Sequence, residues 1–143
     1  MSVEAPFPLA VGFLGAGQMA SALAAGWAKA GLLDAARGRA ADPYTAAREK
    51  FHKATGVPTL ESNREVAAAC DVLILAVKPQ VMPAVLDELK PAITPRHLVI
   101  SIAAGITLKS LAEGLGAQTR LVRVMPNTPC LVGATASFSS PGC

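Results

Sequence analysis

Aromatic residues and charge are both scarce in this chain. Phe, Tyr and Trp make up 4% of its 143 residues, with one Trp and one Tyr, and Asp, Glu, Lys and Arg together make up 16%. So few rings leave no stacking platform for nucleic-acid bases, and the net charge of +3 is scattered without a basic block, so no nucleic-acid partner is expected. Cysteine is equally thin. Cys70, Cys130 and Cys143 are odd in number, far apart and without the C-x-x-C or His-bearing spacing of a zinc site or redox pair. No metal is expected, and a reducing, cytoplasmic setting follows. No apolar run reaches the roughly 18 to 20 residues of a membrane span. The first residues carry Glu4, Pro6 and Pro8 in place of a charged-then-apolar leader, so neither a membrane partner nor targeting is expected.

What remains is a chain that is 52% hydrophobic, its core necessarily built from Ala, Val, Leu and Ile. That composition and length suit one α/β domain, but are short for a complete two-substrate enzyme. Residues 1–8 read as a Pro-punctuated lead-in, 9–140 as the domain, and 141–143 as the start of a connector or a truncation point.

The chain is organised around Val11-Gly12-Phe13-Leu14-Gly15-Ala16-Gly17-Gln18-Met19-Ala20, a buried strand running into a glycine turn and a helix start. Gly15 permits the tight turn, Gly17 lets the backbone approach a pyrophosphate, and Ala20 supplies the third small position, where helix packs on strand. The N–H groups opening the helix, at the positive end of its dipole, form a natural anion site. Three small residues at this spacing are also what a plain turn before a well-packed helix needs, so the context has to decide.

Beyond that turn the periodicity predicts a helix over 18–30, with Met19, Leu23 and Trp27 on one face and Gly31 closing it. A short second strand at 40–42 places Asp42 22 residues beyond Ala20, near the position of the fingerprint's ribose-binding acid. Asp42-Pro43 also suits the cap of a helix over 44–53, and the two roles are compatible. A third strand is expected over 57–60, and Ser62-Asn63-Arg64-Glu65 has the form of a capping box opening a helix to 69. The run 71–77 predicts a fourth strand ending at Lys78-Pro79, then a helix over 79–89 with Val81, Val85 and Leu89 on its buried stripe. A fifth strand over 98–102, a helix over 107–115 and a sixth strand over 121–125 complete the pattern. His52 and His97 stand without catalytic partners and read as surface residues, and local backbone bonding accounts for Ser101 and Thr128. Alternating strands and helices predict a doubly wound parallel sheet of the Rossmann kind, in strand order 3-2-1-4-5-6. Its ligand end lies at the carboxyl ends of the strands.

Four stretches in order, Phe13-Leu14-Gly15-Ala16-Gly17-Gln18-Met19-Ala20, Ala76-Val77-Lys78-Pro79-Gln80, Ser101-Ile102-Ala103-Ala104-Gly105 and Arg123-Val124-Met125-Pro126-Asn127-Thr128-Pro129, resemble pyrroline-5-carboxylate reductase from about residue 9 to 137. The resemblance implies an enzyme of proline biosynthesis that reduces the imine of 1-pyrroline-5-carboxylate to L-proline with NADPH or NADH. It assigns the pyrophosphate to Leu14, Gly15, Ala16, Gly17, Gln18 and Met19, a place near the adenosine ribose to Asn63, and further cofactor contacts to Ala76, Val77, Lys78, Pro79, Ile102, Ala103 and Ala104. Met125, Pro126, Asn127, Thr128 and Pro129 would lie near the nicotinamide and the imine.

Two features depart from the family. A carboxylate at Asp42 repels a 2'-phosphate and leans towards NADH over NADPH, unless Arg37, Arg39 or Arg48 compensates. Family members also continue into a helical domain that forms the dimer of a homo-oligomer, holds the substrate carboxylate and carries the candidate proton donor. The 143 residues are not expected to include that domain, so the chain reads as the cofactor-binding half, with little catalysis alone. Two rivals stay open: a related imine or hydroxyacid Rossmann dehydrogenase, and a non-catalytic dinucleotide-binding module.

Overall fold

Apolar runs that must be covered on both faces become the central strands of a parallel sheet. In the computed structural model, which describes residues 10–34 and 36–124, these are β1 (Val11–Leu14), β4 (Val72–Leu75) and β5 (Leu98–Ser101). The shorter β2 (Arg39–Ala41) and β3 (Thr59–Leu60) extend the sheet on one side and β6 (Arg120–Arg123) on the other. The order is β3-β2-β1-β4-β5-β6 with every neighbouring pair parallel, as the sequence predicts.

Helices α1 (Gln18–Lys29) and α2 (Thr45–Thr55) cover one face, and α3 (Asn63–Ala69), α4 (Met82–Leu89) and α5 (Leu108–Leu115) the other. Alternation along the strands divides the core accordingly. Val11, Phe13 and Ile74 pack with α1 and α2, while Leu14, Leu73, Leu75 and Val99 pack with α3, α4 and α5. Half of the chain's few rings meet in one place: Phe13 lies 6.0 Å from Trp27 and 5.6 Å from Phe51 between ring centroids. Those tilted contacts join β1, α1 and α2, and supply the bulk that an Ala-rich layer otherwise lacks.

Local signals set the helix ends. Ser62 caps α3 by accepting from the Glu65 N–H, and Thr107 caps α5 by accepting from the Ser110 N–H. The expected faces of two helices need correction. On α1 the residues against the sheet are Ala20 and Ala24, with Leu23 and Trp27 at the margin and Met19 36% exposed, because small side chains let the helix approach β1 closely. Val81 is exposed: Pro79 and Pro83 split the expected helix into a 3-10 turn, Pro79–Val81, followed by α4, and the buried stripe becomes Met82, Val85, Leu86 and Leu89.

His97, expected at the surface, is buried. Its Nδ1 accepts from the Thr94 N–H at 3.0 Å, so Nε2 carries the proton and donates to the Ala67 carbonyl at 2.7 Å. The ring thereby ties the end of α3 to the turn before β5, and it pairs the carbonyl of the fully buried Ala67, which would otherwise lack a partner.

Cys70 is also buried, directly before β4, and desolvation outweighs the nearby Arg39 charge to push its thiol from 9.0 up to about 11. Cys70 is therefore expected to resist alkylation at neutral pH in the folded protein and to react on unfolding, which peptide mapping of the labelled residue checks. Below about pH 9 both states hold the proton. Between about 9 and 11 only the unfolded thiol ionises, so the folded state loses stability as pH rises. A Cys70→Ala variant should lack that part of the alkaline decline; an identical decline in both proteins would count against a neutral buried thiol.

Among the described residues no helix is long and apolar enough to cross a membrane, and no cluster of three His, Cys, Asp or Glu residues could hold a metal ion.

Candidate functional site

The chain runs outward from β1 through β2 to β3, then returns to the centre for β4 and runs the other way. A crevice therefore opens at the carboxyl ends of β1 and β4, where the strand order reverses. Four connections meet along this edge: the glycine turn after β1, Asp42 after β2, 76–79 after β4 and 102–104 after β5. Main-chain bonds fix them to one another. The Gly15 N–H donates to the Ala41 carbonyl at 2.8 Å, Ala76 to Leu14 at 2.8 Å and Ile102 to Leu75 at 3.1 Å.

At the centre, Gly15 has φ +99°, and a Cβ there would stand 2.9 Å from the carbonyl carbon and oxygen of Ala76. Only glycine fits where the first turn crosses so close to the next strand's exit. Gly17 is different: it is exposed, its φ of −82° suits any residue, and a Cβ would meet nothing within 4 Å. That open space lies at the N-terminus of α1, whose cap residue is Gly17 itself. No side chain caps this helix and its first turn carries no acidic residue. The leading N–H groups of a 12-residue helix are thus left to a ligand or to water. These residues fit a dinucleotide's pyrophosphate: a close backbone approach, unpaired donors, the positive dipole end and no competing carboxylate in the first turn.

The other expected cofactor residues divide by exposure. Leu14 and Ala16 are buried beneath the turn and give it shape, while Gln18 and Met19 are exposed beside Gly17. Ala76 and Val77 are half-buried, Lys78 and Pro79 exposed, and Ile102 and Ala103 buried with Ala104 exposed, all along the same edge. Asn63 opens α3 beyond the carboxyl end of β3, with its Nδ2 donating to Glu88 Oε1 at 2.9 Å, which ties α3 to α4. Met125, Pro126, Asn127, Thr128 and Pro129 lie outside the described residues, as do Cys130 and Cys143.

Asp42 is not the helix cap that Asp42-Pro43 suggests. The helix starts at Thr45 with Tyr44 as its cap residue. The Asp42 carboxylate instead accepts from two backbone N–H groups, Oδ1 from Tyr44 and Oδ2 from Ala16, each at 2.9 Å. Sequence spacing carries no signal for the second bond, which joins residues 26 apart. The arginines also separate. Arg39 heads β2 with its guanidinium on the Ala36 and Gly38 carbonyls, at the amino end of the sheet. Arg48 lies at the ligand end, where Nη1 donates to the Asp42 carbonyl at 2.6 Å and Nη2 faces Glu61 at 3.5 Å.

No nucleophile stands with a base at this edge among the described residues. Ser101 is buried and its Oγ accepts from the Ala103 N–H at 3.3 Å. His52 contacts the Val57 carbonyl before β3, and His97 precedes β5, both at the far end of the sheet. A hollow of about 410 Å³ between 93–95 and 115–119 opens at that far end too, away from the glycine turn. The chemistry available at the crevice is binding and orientation, with the reacting group carried by a cofactor.

Comparison with known proteins agrees with this geometry. A family described as NADP oxidoreductase, coenzyme F420-dependent, matches residues 10–105. Pyrroline-5-carboxylate reductase 3 of Rattus norvegicus is 44% identical over 142 residues, 99% of this chain and 52% of that protein. Among solved structures, pyrroline carboxylate reductase of Plasmodium falciparum with NADP bound has 39% identity and a TM-score of 0.74, covering 87% of this chain and 44% of that one. A pyrroline-5-carboxylate reductase of Coxiella burnetii has 36% identity and a TM-score of 0.79, covering 85% and 45%. The chain spans about half the length of the relatives it matches.

Proposed function

The chain belongs to the family of NADP oxidoreductases described as coenzyme F420-dependent, and on that premise we propose that it is the dinucleotide-binding part of a pyrroline-5-carboxylate reductase. The single observation that carries the reading is the open, uncapped start of α1 beside Gly17, at the point where the strand order reverses. Identity extending over 99% of the chain to a reductase of that name supports it.

In this reading NADPH or NADH supplies a hydride to the imine carbon of 1-pyrroline-5-carboxylate, giving L-proline. The turn from Leu14 to Met19 holds the pyrophosphate by main-chain donors, and Ala76 to Pro79 with Ile102 to Ala104 line the dinucleotide. Asp42 and Asn63 serve the adenosine end, and Met125 to Pro129 the nicotinamide and substrate. Small side chains and apposed backbone suit this task, which is to hold two reactants close with water excluded. Substrate-carboxylate binding and proton donation fall to a further helical domain, as does homo-oligomer formation, and the working compartment is the cytoplasm. The dinucleotide-binding domain spans 9–140.

Calorimetric titration with NADPH and NADH in parallel, at low and high salt, tests the reading. Binding of at least one is expected, with NADH preferred because the Asp42 carboxylate repels a 2'-phosphate. That preference should narrow at high salt, which screens exposed charges over about 8 Å at physiological ionic strength. A preference for NADPH would put Arg48, beside the Asp42 carbonyl, in control of the 2' position. Binding of neither would overturn the assignment. Imine reduction on supplying the helical domain of a full-length reductase in trans separates an enzyme half from a module that only binds.

A further inference from the structure

The Asp42 carboxylate is held from two sides by backbone amides, and one of them belongs to the glycine turn 26 residues earlier. The preceding residue does the same with its main chain, since the Ala41 carbonyl accepts from the Gly15 N–H at 2.8 Å. Two consecutive residues at the end of β2 thus hold two consecutive residues of the turn. Arg48 secures the same point by donating to the Asp42 carbonyl. A hydrogen bond from an amide to a carboxylate is stronger than one to a neutral acceptor. Ala16 is 3% exposed, so without this acceptor its N–H would lie buried and unpaired.

The bond also has a direction. It turns the Ala16 N–H towards β2, and the donors left facing the crevice begin at Gly17. Resting on the reading that this turn binds a dinucleotide, we propose that Asp42 is a positioning residue for the glycine turn. By fixing Ala16 it sets the approach of Gly17 and the first turn of α1 to the pyrophosphate, independently of any contact with the adenosine ribose.

A ribose contact and a positioning role predict different behaviour towards a dinucleotide lacking the 2'-hydroxyl. Titrations of wild type, Asp42→Ala and Asp42→Asn with NADH and with its adenosine 2'-deoxy analogue are paired with hydrogen exchange at the Ala16 amide, measured without ligand. Asp42→Ala should exchange Ala16 faster and bind the 2'-deoxy analogue about tenfold more weakly, as expected for loss of a charge-assisted bond, and NADH weaker by at least that factor, any excess measuring a ribose contact. Asp42→Asn, which keeps one acceptor oxygen, should fall between Asp42→Ala and wild type. If Asp42→Ala weakens NADH but not the 2'-deoxy analogue, or leaves Ala16 exchange unchanged, the positioning role is wrong. Wild-type protein that binds neither ligand would overturn the dinucleotide reading instead, and the exchange rates would then still decide whether Asp42 holds the turn.

Discussion

Gly17→Asp is expected to weaken dinucleotide binding by at least about a hundredfold while leaving the melting temperature unchanged or slightly raised, because carboxylate and phosphate a few ångströms apart repel by several kcal/mol at the effective dielectric of a protein surface. The backbone offers no resistance to the change: φ is −82° and nothing lies within 4 Å of the new Cβ. For the fold alone the substitution is an improvement. Asp is a preferred N-cap, stabilises a helix over Gly by a few tenths of a kcal/mol, and complements the dipole. An N-terminus left without that cap is one kept open for an anion. Gly15→Ala makes the contrast, since its Cβ would strike the Ala76 carbonyl from a backbone at φ +99°, and it should lower binding and stability together. Calorimetry and thermal melts on the two variants separate the roles. Unchanged affinity in Gly17→Asp would show that the helix start is not the phosphate site.

The strand order was legible because parallel strands covered on both faces leave uninterrupted apolar runs, and glycine, proline and cap residues punctuate what lies between. Helix faces were less legible. Sequence reasoning gives weight to large apolar side chains, yet Ala20 and Ala24 are what α1 presses on the sheet, and the two prolines around Val81 shift the phase of the next helix. His97, between Arg96 and Leu98, carries no local mark of burial; its place is set by a carbonyl of α3, thirty positions away. The glycine turn was visible as a pattern. What distinguishes its two glycines was not, since the barrier at Gly15 is the backbone of Ala76 and the freedom at Gly17 is empty space. Asp42 was singled out by spacing, but its bond to Ala16 belongs to the tertiary structure.

Gly12→Val should destabilise the domain by about 1–3 kcal/mol or more, the usual range for overpacking a core that cannot yield. Local preference points the opposite way: Val is among the residues most enriched in strands and Gly among the most depleted, over a span of about 1 kcal/mol. Packing decides the sign. A Cβ on Gly12 would collide with Val66 Cγ1 and come within 3.1 Å of Leu73 Cδ2 and 3.2 Å of Cys70 Cβ, with all three residues fully buried. The missing side chain is what lets α3 lie directly on β1. That contact fixes the strand whose end becomes the phosphate turn. Denaturant unfolding measures the loss, and the double variant Gly12→Val with Val66→Ala should recover part of it by emptying the space the new side chain needs. Gly12→Val as stable as wild type, or a double variant no better than Gly12→Val, would mean that α3 shifts freely and does not constrain the turn. With total stabilities of about 5–15 kcal/mol, a loss of about 3 kcal/mol would remove most of the margin of a domain at the low end yet leave only about 3% of it unfolded at room temperature. Dinucleotide binding would then fall only in proportion to the folded fraction, with the affinity of the folded molecules intact, the reverse of what Gly17→Asp should show.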